Sequence, residues 1–200
     1  MLINPGGLEA GRYDKIYLVP FGEFIPPLFS WVNRISHEIG DFVPGNEVKV
    51  LNSPAGRLGV FICYESAFPH LVRRFAAQGA DVLFNLSNDG YFGHSAAYAQ
   101  HLSLVRMRAV ENCRFIVRST NDGITAVVDP AGRVRRRLPP YRLTAGLLRY
   151  GRVAEQTLYA KTGDWFAWSA LALGMVLSIH SILSTQSRPL NPGPPAGPPL

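Results

Sequence analysis

RLGVFICYES, residues 57–66, is the stretch on which the fold turns. An apolar, partly β-branched run leads straight to Cys63, and Tyr64-Glu65-Ser66 then opens a helix. A strand that feeds directly into a helix is the repeating unit of an α/β sheet, and the same alternation continues on both sides of it. The pattern predicts strands at Lys15–Val19, Val48–Leu51, Leu58–Cys63, Val82–Leu86, Phe115–Arg118, Ala126–Asp129 and Leu143–Leu148. Amphipathic helices are expected at Ser66–Gln78 and Ser95–Glu111, with Ser95 as N-cap of the second. Asp129-Pro130-Ala131-Gly132 is turn chemistry that joins two strands as a hairpin, and Arg133, Arg135, Arg136 and Arg137 read as a solvated edge strand. A helix bundle and an all-β sandwich are both excluded by this order of elements.

The 200 residues, 47% of them apolar, suffice for one domain with a real core. A charged fraction of 17% excludes a disordered chain, and two cysteines exclude a disulfide scaffold. Twenty Lys and Arg against fourteen Asp and Glu give a net charge of +6. The arginines are scattered, with neither an aromatic-interleaved patch nor a nucleic-acid-binding motif, so no nucleic-acid partner is expected.

The amino end carries no basic stretch followed by an apolar run, so no secretory or transit peptide is expected. The carboxyl end differs. WFAWSALALGMVLSIHSIL, residues 165–183, runs nineteen residues without a charge, enough to cross about 30 Å of hydrocarbon at 1.5 Å per residue. Trp165 and Trp168 stand where an interfacial aromatic belt would place them, although a buried core helix has a similar signature. The division that follows is a globular α/β domain over 1–160, a transmembrane helix over 164–184 and a disordered Pro/Gly tail over 185–200, with the tail on the cytoplasmic side.

Cys63 at the end of a strand and the start of a helix suits a nucleophile, because the helix amino terminus favours thiolate and its N–H groups can hold an oxyanion. By residue type alone it equally suits a small buried hydrophobe. Lys15 can lower a thiol pKa and stabilise an oxyanion, and Glu23, after the Pro20-Phe21-Gly22 turn, can take or return a proton. Taken singly, both are commonly solvated surface charges. Asn85, Ser87, Asn88, Asp89 and Gly90 close a buried strand and could line a pocket opposite the cysteine, or satisfy only their own loop. Cys113 reads as a small buried residue at a helix end. His70, His94 and His101 lack metal-ligand spacing and read as helix or pocket-rim histidines.

LVPFGEFIP at 18–26, CYES at 63–66, NLSNDGYFG at 85–93, QHLSLVRMRAVEN at 100–112, STNDGITAVVDPAG at 119–132 and TGDW at 162–165 jointly resemble the carbon–nitrogen hydrolase (nitrilase) superfamily, within it the apolipoprotein N-acyltransferase family. The resemblance covers residues 13–168. It implies an α-β-β-α sandwich held outside the membrane by transmembrane helices, and a Glu-Lys-Cys triad. It also implies transfer of an acyl chain from a phospholipid to the α-amine of a diacylglyceryl-modified cysteine that begins an apolipoprotein. Cys63 then matches the nucleophile, Lys15 the triad lysine, and Glu23, Tyr64 and Glu65 the supporting positions around the pocket. Asn85 and Asn88 join that supporting set. Neither a metal nor a cofactor is implied, and the partners are phospholipid, apolipoprotein and membrane. The implied location is the bacterial inner membrane, with the catalytic domain on the periplasmic side. The family's triad glutamate and multi-helix membrane region precede the lysine motif. Glu9 matches no copy of the glutamate motif, and the chain therefore reads as the carboxyl-terminal part of such a protein. The competing expectations are a soluble nitrilase-type amidase, in which water resolves the thioester, and a catalytically inactive fragment.

Overall fold

Alternation along β4 (Gly56–Ile62) builds the core. Phe61 is fully buried among Leu71, Val72 and Phe75, while Leu58 faces the opposite side with Leu51 and Val82. The structure, a computed structural model, describes residues 1–28 and 42–186. Its six-stranded sheet has the order β3 (Val50–Ser53), β4, β5 (Val82–Ser87), β6 (Ile116–Thr120), β7 (Ala126–Val128) and β8 (Val134–Arg137). The central β4, β5 and β6 run parallel, and β3, β7 and β8 are added antiparallel. Helices α1 (Pro69–Ala77) and α2 (Ala97–Asn112) are the crossovers between the parallel strands and share one apolar cluster with the sheet. A short helix, α3 (Leu158–Thr162), is capped by the Thr157 hydroxyl, which accepts from Ala160 N at 2.9 Å. The ribbon β1 (Leu2–Ile3) and β2 (Glu9–Gly11) lies apart from the six-stranded sheet in hydrogen bonding, and Leu2 packs on the face opposite the helices. The expected α/β architecture is thus present as one helix layer on one mixed sheet, with the ribbon on the far face.

The cross-strand register sorts the helix-facing side into rows. Gly59, Leu83, Ile116 and Val128 form an apolar row, and Gly59 is the residue that lets α1 approach: a Cβ there would lie 2.6 Å from Leu83 Cδ2 and 2.7 Å from Phe75 Cβ. The next row toward the carboxyl ends, Phe61, Asn85 and Arg118, turns polar. The carboxyl edge of parallel strands is where α/β sheets place their sites.

Several expected elements change. Lys15–Val19 is not a strand: the Ile16 and Tyr17 N–H groups donate to the Glu65 carboxylate and the Val19 N–H donates to Glu23, so side chains take the donors a ladder would use. Leu143–Leu148 forms no strand either. Leu143 and Leu147 are largely exposed, and the outer strand β8 carries no apolar face for them to cover. The helix expected from Ser66 divides into a 3₁₀ turn, Cys63–Ala67, and α1, because Pro69 has no N–H to continue the first and fits the opening turn of the second. Ser95 sits one residue before the observed N-cap Ala96, its hydroxyl accepting from Ala97 N at 3.3 Å. The hairpin at 129–132 joins β7 to β8, whose four residues are all exposed, and Arg133 and Arg135 both pair with Asp129.

Contacts divide the chain into two units, residues 1–163 and a second beginning at Asp164. In the second, α4 (Trp165–Gln186) contains a stretch, Trp165–Ser184, long and apolar enough to cross a membrane. The tail expected to be disordered lies, from residue 187 on, outside the described residues.

Candidate active site

β4 ends at Ile62, and the chain turns sharply at Cys63, whose φ is +51°. A residue with a Cβ is disfavoured in that left-handed region by roughly 1–2 kcal/mol, so the surrounding structure must hold it there. Two groups do so. Glu65, wholly buried, accepts from Ile62 N at 2.6 Å through Oε2, fixing the residue before the cysteine. His101 on α2 places Nε2 3.1 Å from the Cys63 carbonyl oxygen.

The same Glu65 brings the lysine loop to the turn. Its Oε1 accepts from Ile16 N at 2.7 Å, Tyr17 N at 3.2 Å and the Tyr13 hydroxyl at 2.8 Å. Burial, then the neighbouring Glu65 charge, push the Tyr13 phenol far above its ordinary value, so it stays a donor. Lys15 is held in turn by Glu23, with Nζ 2.7 Å from both carboxylate oxygens and the two side chains 11% and 21% exposed. Glu23 Oε2 also accepts from Val19 N at 2.9 Å, which closes the Pro20-Phe21-Gly22 turn.

Glu23, Cys63, Tyr64, Asn88 and His101 line one cavity of 390 Å³. Its remaining wall is mainly apolar, with Val19, Ile62, Phe92 and Leu104 among its members and Tyr91, 79% exposed, at its edge. An apolar cavity with a few convergent polar groups is the usual form of a small-molecule site. Lys15 does not line this cavity and meets it through Glu23. Asn85 is also outside it: fully buried in the sheet, it donates from Nδ2 to Phe61 O at 3.3 Å and accepts from Arg118. Asn88 stands at the rim, where its Oδ1 accepts from Gly90 N at 3.1 Å and Asn121 Nδ2 at 2.5 Å.

Behind the cavity, Asp89 and His101, expected at a pocket wall and on a helix or pocket rim, meet a buried arginine to which sequence reading assigned no role, Arg118. Asp89 accepts from Arg118 Nη2 at 2.6 Å and Ser87 Oγ at 2.6 Å, and lies 3.1 Å from His101 Nδ1. Burial alone would raise the Asp89 carboxyl, but the hydrogen bonds from His101 and Ser87 and the charge of Arg118 outweigh it and hold it at about 2. Burial lowers Arg118, and Asp89 opposes that shift. The local signal for Arg118 is a charged side chain directly after the apolar run Phe115-Ile116-Val117, which must find a carboxylate when buried. Its partner, 29 residues earlier, has no fixed spacing to it.

Elsewhere, Cys113 is a free cysteine capping α2 in the left-handed conformation, and Cys63 is likewise free. Tyr17 and His70 meet outside the cavity, with the hydroxyl 2.9 Å from Nε2. No group of three His, Cys, Asp or Glu suited to a metal ion occurs among the described residues.

Residues 1–155 match the carbon-nitrogen hydrolase family. Apolipoprotein N-acyltransferase of Geobacter metallireducens is 40% identical over 181 residues, covering 88% of this chain and 34% of that protein. Its namesake from Verminephrobacter eiseniae is 43% identical over 173 residues, 82% of this chain and 32% of the relative. The chain thus spans about a third of the length of the curated relatives it matches. A carbon-nitrogen hydrolase from Helicobacter pylori G27, 19% identical, superposes with a TM-score of 0.52 over 68% of this chain and 50% of its own, a likeness of fold. The family match over three-quarters of the sequence and the agreement in fold have one consequence: the chain belongs to the carbon–nitrogen hydrolase family.

Proposed function

We propose that this chain carries part of an N-acyltransferase that transfers a fatty acyl chain from a phospholipid to the amino-terminal diacylglyceryl-cysteine of an apolipoprotein. The observation that carries the reading is Cys63, held in a left-handed turn at the edge of an apolar cavity, in a chain 40% identical to a relative bearing the N-acyltransferase name.

In this mechanism the Cys63 thiolate attacks the ester carbonyl of the lipid, and the carbonyl π pair moves to oxygen. Lys15, matched to the triad lysine by the family resemblance and held beside the cavity-lining Glu23, supplies the positive charge that favours the thiolate and the tetrahedral oxyanion. Collapse breaks the ester C–O bond, and the leaving lysophospholipid alkoxide takes a proton from water, which the acceptor amine restores when it loses its own in the second half-reaction. The acyl group remains as a thioester on Sγ. The acceptor's amine then attacks the thioester carbonyl, loses a proton, and expels the Cys63 thiolate as the amide forms. Glu23, Tyr64, Glu65, Asn85 and Asn88 support this set: Glu65 by tying the Lys15 loop to the cysteine turn, Glu23 by holding Lys15, and Asn85 by bracing Phe61 beneath. The apolar wall suits an acyl chain. The span in α4 would hold the domain at a bacterial inner membrane, on its periplasmic side.

Intact-mass analysis of the chain in detergent after incubation with phospholipid tests this reading. An added acyl mass that hydroxylamine removes and Cys63→Ala abolishes is the expected result. Loading that persists in Cys63→Ala overturns it.

A further inference from the structure

His101 is 6% exposed and lies between the backbone of Cys63 and the buried pair of Asp89 and Arg118. Its Nε2 faces the Cys63 carbonyl oxygen at 3.1 Å, and its Nδ1 lies 3.1 Å from Asp89 Oδ1 and 3.2 Å from Arg118 Nη2. A carbonyl oxygen only accepts, so this contact fixes the hydrogen on Nε2. In the neutral ring, Nδ1 then accepts from Arg118; in the imidazolium it donates to Asp89. In both forms the Nε2–H stays on the Cys63 carbonyl, and Nδ1 is held from behind, by Arg118 in the first and by Asp89 in the second.

The residue so held is the one whose conformation needs holding. Cys63 sits at φ +51°. Its neighbour Ile62 is fixed from one side by Glu65, and its own carbonyl is fixed from the other by His101. Both Cys63 and His101 line the cavity, whereas Asp89 and Arg118 do not. The arrangement has the form of a ligand and its outer support, in which a buried carboxylate orients an imidazole and the imidazole orients the working group.

We propose that His101 is a positioning residue for Cys63: its Nε2–H, aimed by Asp89 and Arg118, locks the cysteine carbonyl and keeps Cys63 in the strained turn from which it lines the cavity. The inference rests on the reading of Cys63 as the reacting group.

The test is the rate at which Cys63 in the full-length chain, in detergent, is alkylated by iodoacetamide, resolved from Cys113 by peptide mass. His101→Gln retains an N–H donor near the place of Nε2, and His101→Asn retains one only near Nδ1, on the Asp89 side. The proposal expects His101→Asn to slow alkylation about tenfold or more and His101→Gln to remain within about threefold of the parent chain. Equal rates for the two variants, both normal or both slow, overturn it, as does a faster His101→Asn. Unfolding exposes the thiol and accelerates alkylation, so it cannot imitate the expected slowing. Alkylation needs no acyl donor: a parent chain that alkylates as expected but never loads acyl would refute the proposed function and leave this inference standing.

Discussion

The Oε1 of Glu65 lies 2.7 Å from the backbone nitrogen of Ile16, so a carboxylate two residues after Cys63 holds the residue directly after Lys15. With three further donors on the same carboxylate, the two loops that carry the proposed lysine and cysteine are fastened at a single buried group. Their relative placement follows from hydrogen bonds to Glu65.

Glu65→Gln tests that fastening. One carboxylate oxygen becomes an NH₂ group facing N–H or O–H donors, and a charge-assisted acceptor is lost. The expected cost is about 2–4 kcal/mol of stability, together with loss of acyl loading on Cys63. Urea unfolding in detergent and the intact-mass assay read the two effects. A fully stable variant would mean that Glu65 does not hold the loops.

Acid should weaken the fold through Asp89. Its folded value of about 2 lies below the ordinary 3.8, so the ionised carboxylate contributes stability that is fully present above pH 3.8 and is lost as pH falls from there through 2. The shift corresponds to about 2 kcal/mol. Asp89→Asn should flatten this part of the stability profile. At neutral pH it should cost about 3–5 kcal/mol, since Arg118 would be left buried without its counter-charge. Unfolding midpoints measured from pH 2 to 7 check both statements.

Gly59→Ala probes the closest approach of α1 to the sheet. The added methyl would meet Phe75 Cβ at 2.7 Å, an atom that moves only with its helix. A loss of about 1–3 kcal/mol is expected without change at Cys63, which lies beyond the end of the strand. Denaturant midpoints decide it.

Arg114 is expected to be the costliest arginine to remove outside the site. Wholly buried, it donates to the carbonyls of Ala80, Cys113, Ala154 and Glu155, and so pins the segment before α3 to the sheet. Arg114→Met leaves those carbonyls without their donor and should cost roughly 3 kcal/mol or more. Arg114→Lys should recover little, because a single ammonium cannot span the fork. Limited proteolysis after residue 150 should report the released segment.

Sequence by itself determined the α/β class, the strands at 58–62, 82–86 and 126–128, the hairpin at 129–132 and the apolar helix from Trp165, because each is written in local periodicity and turn chemistry. Strand-end and turn signals marked Cys63, Glu23 and Asn88, and the family resemblance added Tyr64; the fold gathers all four at one cavity. Tertiary structure alone decided that Lys15–Val19 would give its backbone donors to carboxylates instead of a strand, and that Asn85 would brace the sheet from outside the cavity. It also decided that Asp89, His101 and Arg118 would meet behind Cys63. Those outcomes depend on buried charges finding partners 12 and 29 residues away, and desolvation enforces such pairing only after the chain has folded.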